Sequence, residues 1–367
     1  MSLLVSVTVC LALSCAAAPP SENWVAPTPG SAPAGSPVAL HGKLRVATTT
    51  AVLSQLVDEH GALFQLKGVS SQWLQWETQH YPESKNGLVF MRDNWKVSVI
   101  RAAMGADKSA DGYMARPMGI KKQVETMIHN AIELGVYVLV DWHTEQAVIE
   151  QDAAVAFFTD MATKYGAYPN VIWEPYNEPN GFDWLQIKTY HEAVVAAIRT
   201  VDPDNLIVLG TPNYSQRVDQ AAADPVVGTN LLYTLHWYSC THGQMFRDFG
   251  TTAIAKGIAL FVTEFGATFS DGGTSNNDHT YVCEDEANLW FAWMAQSDIS
   301  GVAWKLDQCP DSSCILTSEA PLNGPWTDDK LTSDAGGALY ADGFGGGVSG
   351  TGIKGGHGKF VVDWLRQ

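Results

Sequence analysis

Val171-Ile172-Trp173-Glu174-Pro175-Tyr176-Asn177-Glu178-Pro179 is a short apolar run that ends in an amide, a carboxylic acid and a proline. Such a run reads as a buried strand that surfaces at one edge of a sheet and delivers polar groups there. Pro179 has no N–H, so it stops the strand's hydrogen-bond ladder just after Glu178. Asn177 and Glu178 are adjacent, and on a regular strand neighbouring side chains point to opposite faces. Both can serve one site only if the chain has already left the sheet. Alone, the stretch is a strand ending in a polar turn.

The rest of the chain repeats the pattern. Apolar, β-branched segments recur at 64–69, 98–104, 136–143, 171–177, 206–211, 231–238, 260–266 and 301–306. Helical patterns lie between them. Ile120, Val124, Met127, Ile128, Ala131 and Ile132 fall at helical spacing, and Gly135 stops that helix before the next strand. Segments 155–165, 184–201 and 288–296 are likewise amphipathic, and 360–365 reads as a short final helix. Parallel strands need helical crossovers, and this number of strands closes on itself. The expected fold is therefore α/β, a (β/α)₈ TIM barrel forming a single catalytic domain over 41–367; an open, doubly wound sheet is the competing architecture. The glycine-crowded 335–358 contains Gly350-Thr351-Gly352-Ile353-Lys354-Gly355, which matches G-x-G-x-x-G. With no strand before it and no helix beginning in it, it reads as an irregular surface loop and not as a dinucleotide site.

Composition narrows the function. The 367 residues carry 22 Lys and Arg against 39 Asp and Glu, a net charge of −17. That excess opposes binding to nucleic-acid phosphates and to anionic membranes, and leaves a neutral polymer compatible. The 13 Trp suit sugar faces as well as cores. Residues 1–18 form an apolar run ending in Ala16-Ala17-Ala18 and read as a secretory signal, which predicts an extracellular protein. A lipoprotein cut before Cys15 is the lesser alternative. Residues 19–40, rich in Pro, Ala and Ser, read as a flexible segment. Beyond the leader stand Cys240, Cys283, Cys309 and Cys314, an even number that suggests two disulfides. Cys309 and Cys314 flank a Pro-Asp-Ser-Ser loop and are paired with each other, which leaves Cys240 for Cys283. Four free thiols are the alternative, and the spacing is too loose for zinc.

In such barrels chemistry sits at the C-terminal strand ends. Those ends supply Ser70-Ser71-Gln72, Arg101, His143, Asn177-Glu178, His236 with Tyr238, Glu264, and Trp304. Glu178 and Glu264 follow the fourth and seventh strands, on opposing sides of the ring. Two carboxylates converging on one cleft are what glycosidic cleavage needs: one protonates the departing oxygen, the other attacks or activates water. Taken singly, Arg101 reads as a structural counter-ion, and His143 or His236 as an interior histidine. Glu174 precedes Glu178 by four residues and would lie roughly 13 Å deeper on an extended strand. It reads as a buried, paired acid below the substrate.

The chain resembles glycoside hydrolase family 5, most closely its bacterial-type endo-β-1,4-glucanases (cellulases). The resemblance rests on Gln65-Leu66-Lys67-Gly68-Val69-Ser70-Ser71, Leu74-Gln75-Trp76, Arg101-Ala102-Ala103-Met104, Asp141-Trp142-His143, Asn177-Glu178-Pro179, His236-Trp237-Tyr238, Thr241-His242-Gly243-Gln244, Thr263-Glu264-Phe265-Gly266 and Val302-Ala303-Trp304. These recur in family order from about residue 41 to the C-terminus. The resemblance implies a retaining double displacement with Glu178 as acid/base and Glu264 as nucleophile. Arg101 would favour the ionised form of Glu264 and Tyr238 would donate to it, while partial burial and the charge of Glu264 would raise the pKa of Glu178. It further implies that His236 sits by the acid/base, that Asn177 binds the 2-hydroxyl, and that His143 lines the same subsite. Trp76, Tyr214 and Trp304 are the implied sugar platforms, with Gln72 and Lys305 as further substrate contacts.

Three positions depart from that family pattern. Gln72 stands where relatives commonly have His, Gly105 where they have an aromatic residue, and Lys305 falls earlier than the usual lysine. These bear on substrate preference at the non-reducing side and leave the two-carboxylate chemistry intact. Asn213-Tyr214-Ser215, an N-glycosylation sequon, falls at the same rim and is expected to be unmodified. No metal-hydrolase motif is present, and no cofactor is expected. Thr327-Asp328-Asp329 reads as an exposed acidic turn in preference to a structural Ca²⁺ site. The sequence thus points to a secreted, monomeric endo-β-1,4-glucanase acting on a β-glucan. A mannanase, xyloglucanase or mixed-linkage glucanase on the same scaffold, or a non-catalytic sugar-binding barrel, are the competing readings.

Overall fold

The structure, a computed structural model, describes residues 24–48, 53–270, 280–340 and 347–367; the expected leader, 1–18, lies outside them. The apolar segments form strands β1 Lys67–Ser71, β2 Val99–Gly105, β3 Tyr137–His143, β4 Val171–Glu174, β5 Ile207–Leu209, β6 Leu231–Thr234, β7 Ala259–Gly266 and β8 Ser300–Leu306. Each pairs in parallel with the next, and β8 closes the ring by pairing with both β7 and β1. Trp237–Tyr238 continues the sixth strand position along β7. The closed parallel (β/α)₈ barrel is the expected one, and the open sheet is excluded.

Helices α1 Pro117–Leu134, α2 Gln151–Tyr165, α3 Trp184–Arg199, α4 Gln244–Ala255, α5 Glu284–Gln296 and α6 Gly358–Leu365 include the crossovers foreseen from periodicity. Their ends carry the expected chemistry. Gly135 ends α1 at φ +65°, a conformation that costs glycine little. Asp183 opens α3 with a capping box, its carboxylate accepting from the Gln186 N–H while the Gln186 side chain accepts in return.

Alternation along the strands sets the contents of the barrel. Tyr137, Leu139, Ile172, Val208, Leu232, Phe261 and Val302 belong to one buried cluster, the lower interior. Their sequence neighbours Val138, Val140, Trp173, Ile207 and Val262 belong to the other, between barrel and helices. Two residues further up, the inward positions turn polar: Arg101, Asp141, Glu174 and Thr234, all fully buried. The barrel is thus an apolar plug carrying a polar layer beneath its C-terminal rim.

Three expectations are corrected. The fourth strand ends at Glu174, not Asn177, because Pro175 cannot donate to a ladder. The segment read as an irregular loop contains strands Asp334–Tyr340 and Thr351–Gly355, which pair antiparallel, with Tyr281–Val282 on the outer edge. Their few apolar residues gave no period-2 pattern to read. The segment 19–40, read as flexible, is anchored at Trp24 and again at the buried Ser36 and Val38, while most residues between them are exposed. Trp24 stacks on His129 at 3.7 Å and donates to Glu133, and Val38 is buried in the lower core. Among the described residues, no helix is long and apolar enough to cross a membrane. Both disulfides pair as expected, Cys240 with Cys283 and Cys309 with Cys314.

Candidate active site

Arg101 is the hub of the rim. It points inward from β2, is fully buried, and reaches several acceptors at once. Its Nε donates to Glu174 Oε2 at 2.8 Å, Nη1 to Glu264 Oε2 at 2.9 Å, and Nη2 to Asn177 Oδ1 at 2.6 Å. Asp141 Oδ2 lies 2.8 Å from Nη2. Three carboxylates therefore face one guanidinium. Burial pushes Asp141 up to about 8 and Glu174 up to about 7, and the attraction of Arg101 offsets only part of it. The same carboxylates hold the Arg101 proton more firmly than usual. Glu174 is buried and paired as foreseen. It is only one guanidinium away from Glu264, since both accept from Arg101.

Glu264 is held from both sides. Arg101 takes one oxygen, and the Tyr238 hydroxyl donates to the other at 2.6 Å. A local irregularity of β7 lets it face inward. Ala259 and Phe261 point into the barrel, so on a regular strand Glu264 would point toward the helices. Between Val262 and Phe265 the pairing with β8 slips by a residue, as at a β-bulge, and this turns Glu264 to the cleft beside Thr263.

Glu178 lies opposite, with its side chain 20% exposed. Its Oε1 shares a 2.8 Å hydrogen bond with His236 Nδ1, and His236 Nε2 is 2.9 Å from Thr263 Oγ1. Loss of solvent pushes Glu178 up to about 8, opposed by Arg101 and aided by Glu145, Asp141 and Glu174. Burial also lowers His236 to about 4, which keeps it neutral. One oxygen of Glu178, one of Glu264 and a nitrogen of His236 all lie within 4.8 Å of one another. They open into a cavity of about 480 Å³ lined also by Tyr238, Tyr214 and Glu145.

Asn177 and Glu178 do reach one site, since the chain has left the sheet before them. Asn177 Nδ2 lies 3.3 Å from His143 Nε2, whose Nδ1 is 2.6 Å from Asp141 Oδ2. Burial lowers His143 to about 3. Trp304 stacks on His143 with centroids 5.4 Å apart, and Trp73 meets the same imidazole edge-on at 4.6 Å. Trp76, 50% exposed, lies flat on Trp73 at 4.7 Å. Tyr214, 37% exposed, stands at the opposite edge and accepts from Asn180 at 2.7 Å.

Two residues expected on the substrate are occupied elsewhere. Lys305 is buried, and its ammonium donates to Asp311 at 3.0 Å inside the loop closed by Cys309 and Cys314. That pairing, formed within six residues, removes it as a rim cation. Gln72 folds back on its own turn, its Oε1 accepting from the Trp73 N–H while its own N–H donates to Glu77. At Gly105 a side chain would have to displace Gln75. A Cβ there would lie 2.0 Å from the Gln75 amide, which fills the space. Residue reading missed Trp73, Asp141, Thr263 and Ser215 as parts of the site. Strand parity could have flagged Asp141, which shares the inward face of β3 with His143.

The comparisons with known proteins agree with this geometry. Residues 57–309 match the family model described as cellulase, glycosyl hydrolase family 5. The chain belongs to glycosyl hydrolase family 5. It is 40% identical over 297 residues to an endoglucanase of Clostridium saccharobutylicum, covering 80% of this chain and 63% of that protein. Endoglucanase Z of Dickeya dadantii is 44% identical over 218 residues, covering 59% and 50%. The chain thus spans between half and two thirds of the length of these curated relatives. The solved catalytic domain of Thermobifida fusca endoglucanase Cel5A (E5) superposes with a TM-score of 0.75 at 28% identity, covering 91% of this chain and all of that one. A variant of that domain has been solved with cellotetraose.

Proposed function

We propose that this family 5 chain is a secreted, monomeric endo-β-1,4-glucanase that cleaves internal bonds of cellulose-like glucans with retention of configuration and without a cofactor. The observation that carries the reading is the close approach of Glu178 and Glu264, with one oxygen of each within 4.8 Å of the other. Retaining glycosidases hold their carboxyl groups about 5–5.5 Å apart, while inverting ones leave about 6.5–9.5 Å for a water between them. Their surroundings favour different roles. Glu264, between a guanidinium and a phenol hydroxyl, is the nucleophile. Glu178, largely withdrawn from water and beside a neutral His236, keeps its proton at neutral pH and is the acid. It gives that proton to the departing glycosidic oxygen as Glu264 attacks the anomeric carbon, then takes one from the incoming water.

The arrangement around them supports a glucan lying across the rim. Asn177, held by Arg101 and His143, meets the sugar at the point of cleavage, Trp304 and the Trp73–Trp76 pair stack on one side, and Tyr214 on the other. The endoglucanase relatives and the cellotetraose complex of Cel5A support the β-1,4-glucan over other polymers. Reducing ends released from carboxymethyl-cellulose, mannan and xyloglucan, measured side by side, test the reading, and carboxymethyl-cellulose is expected to be the preferred substrate. Inactivity on all three sinks it. NMR of the first product is expected to show the β anomer; the α anomer refutes the role of Glu264.

A further inference from the structure

Asn213, Tyr214 and Ser215 hold φ of +63°, +59° and +55°, three successive left-handed residues of which none is glycine. In that conformation Cβ crowds the following carbonyl, so single residues visit it and runs do not. Such a run persists only where the surroundings over-determine it. Here they do, and Ser215 makes most of the contacts.

The Ser215 side chain is buried. Its Oγ donates to the backbone carbonyl of Asn177 at 2.6 Å and accepts from the Thr211 N–H at 3.3 Å. Its own carbonyl accepts from the His236 N–H at 2.8 Å, and the N–H before it, on Tyr214, donates to the Pro179 carbonyl at 3.0 Å. The peptide between Asn177 and Glu178 is therefore gripped at both ends: its oxygen by Ser215 Oγ and its N–H by the Thr144 carbonyl at 3.3 Å. A planar peptide fixed at both ends sets the Glu178 N–Cα bond, and so the point from which the Glu178 side chain leaves the backbone. His236, which shares a hydrogen bond with Glu178, has its backbone tied to the same serine.

We propose that Ser215 is a positioning residue for proton donation, its hydroxyl and carbonyl setting Glu178 against His236 across two strand ends, with the left-handed turn 213–215 maintained to place it. This rests on reading Glu178 as the acid. A misplaced acid slows bonds whose leaving group needs a proton and spares those whose leaving group does not, whereas general damage slows both alike. The test is kcat/KM, which reports the first displacement, on cellotetraose and on 2,4-dinitrophenyl β-cellobioside. Ser215→Gly is the first variant, because glycine is at ease at φ +55° and the turn survives without the hydroxyl. Ser215→Ala repeats the loss with Cβ kept. The expected result is a loss of roughly tenfold or more on cellotetraose with a change under about threefold on the activated glycoside. Equal loss on both substrates, or no loss on either, overturns the proposal. Glu178→Gln is measured in parallel. If it too slows both substrates equally, the reading of Glu178 fails, separately from the role of Ser215.

Discussion

Glu178 illustrates how one carboxyl acquires a role from its surroundings. Burial removes the water that would stabilise its charge, and Arg101, the nearest compensation, is shared among three other carboxylates. Its pKa rises to about 8. As the proposed general acid, Glu178 works while it holds its proton, so activity is expected to persist below that value and to fall as pH rises through it. The kcat/KM of the free enzyme on an unactivated cello-oligosaccharide is expected to show an alkaline limb near pH 8 that disappears in the residual activity of Glu178→Gln. A limb that persists in that variant assigns the titration to another group. Glu264, with the same side chain, sits between a cation and a hydroxyl donor and is suited to the opposite task. Both residues were legible in the sequence because each stands at the polar end of an apolar run. Trp73 was not, since an aromatic residue in a turn gives no sign of whether it faces a core or a sugar.

At the scale of elements, the strands were readable because those of a closed parallel barrel are buried on both faces and read as nearly continuous apolar runs. Their ends were less so. The slip between β7 and β8 that turns Glu264 inward has no signature in Thr263-Glu264-Phe265, because pairing register depends on the neighbouring strand. The N-terminal segment fails for a different reason. Its Pro, Ala and Ser content suggested a tether, yet Trp24 at one end and Val38 near the other hold it against the barrel. Trp24 lies flat on His129 and donates to Glu133, 109 residues away. Trp24→Ala is expected to lower the stability to urea by about 1 kcal/mol. No change would restore the tether reading.

At the scale of the whole molecule, the rim is tied together by Cys240–Cys283, which joins the loop after the sixth strand to the start of α5 across 43 residues. Ser239 Oγ donates to the Cys283 carbonyl beside it, and the Cys240 and Cys283 N–H groups bond the chain just after β7. Closing a loop of that length is worth about 4 kcal/mol if the constraint acts on the unfolded chain alone. Replacing both cysteines by serine is expected to lower the unfolding free energy by about that much. A loss under about 1 kcal/mol would mean that the loop is already restricted in the unfolded state.

The sequence by itself determined the barrel and singled out the two carboxylates proposed for catalysis and the Cys309–Cys314 pair, because each depends on local quantities: apolar runs, their number, the residue closing each run, and the spacing of neighbouring cysteines. It did not determine what those residues touch. Lys305 was expected on the substrate and is held by Asp311. Glu174, expected far below the site, meets the guanidinium that also holds Glu264. Asn177 and Glu178 reach one cleft because the strand stops at Glu174 and a serine from the next strand end takes the peptide oxygen between them. These contacts of Arg101 and Ser215 join residues 38 to 163 positions apart, and only the closed ring brings them within hydrogen-bonding reach.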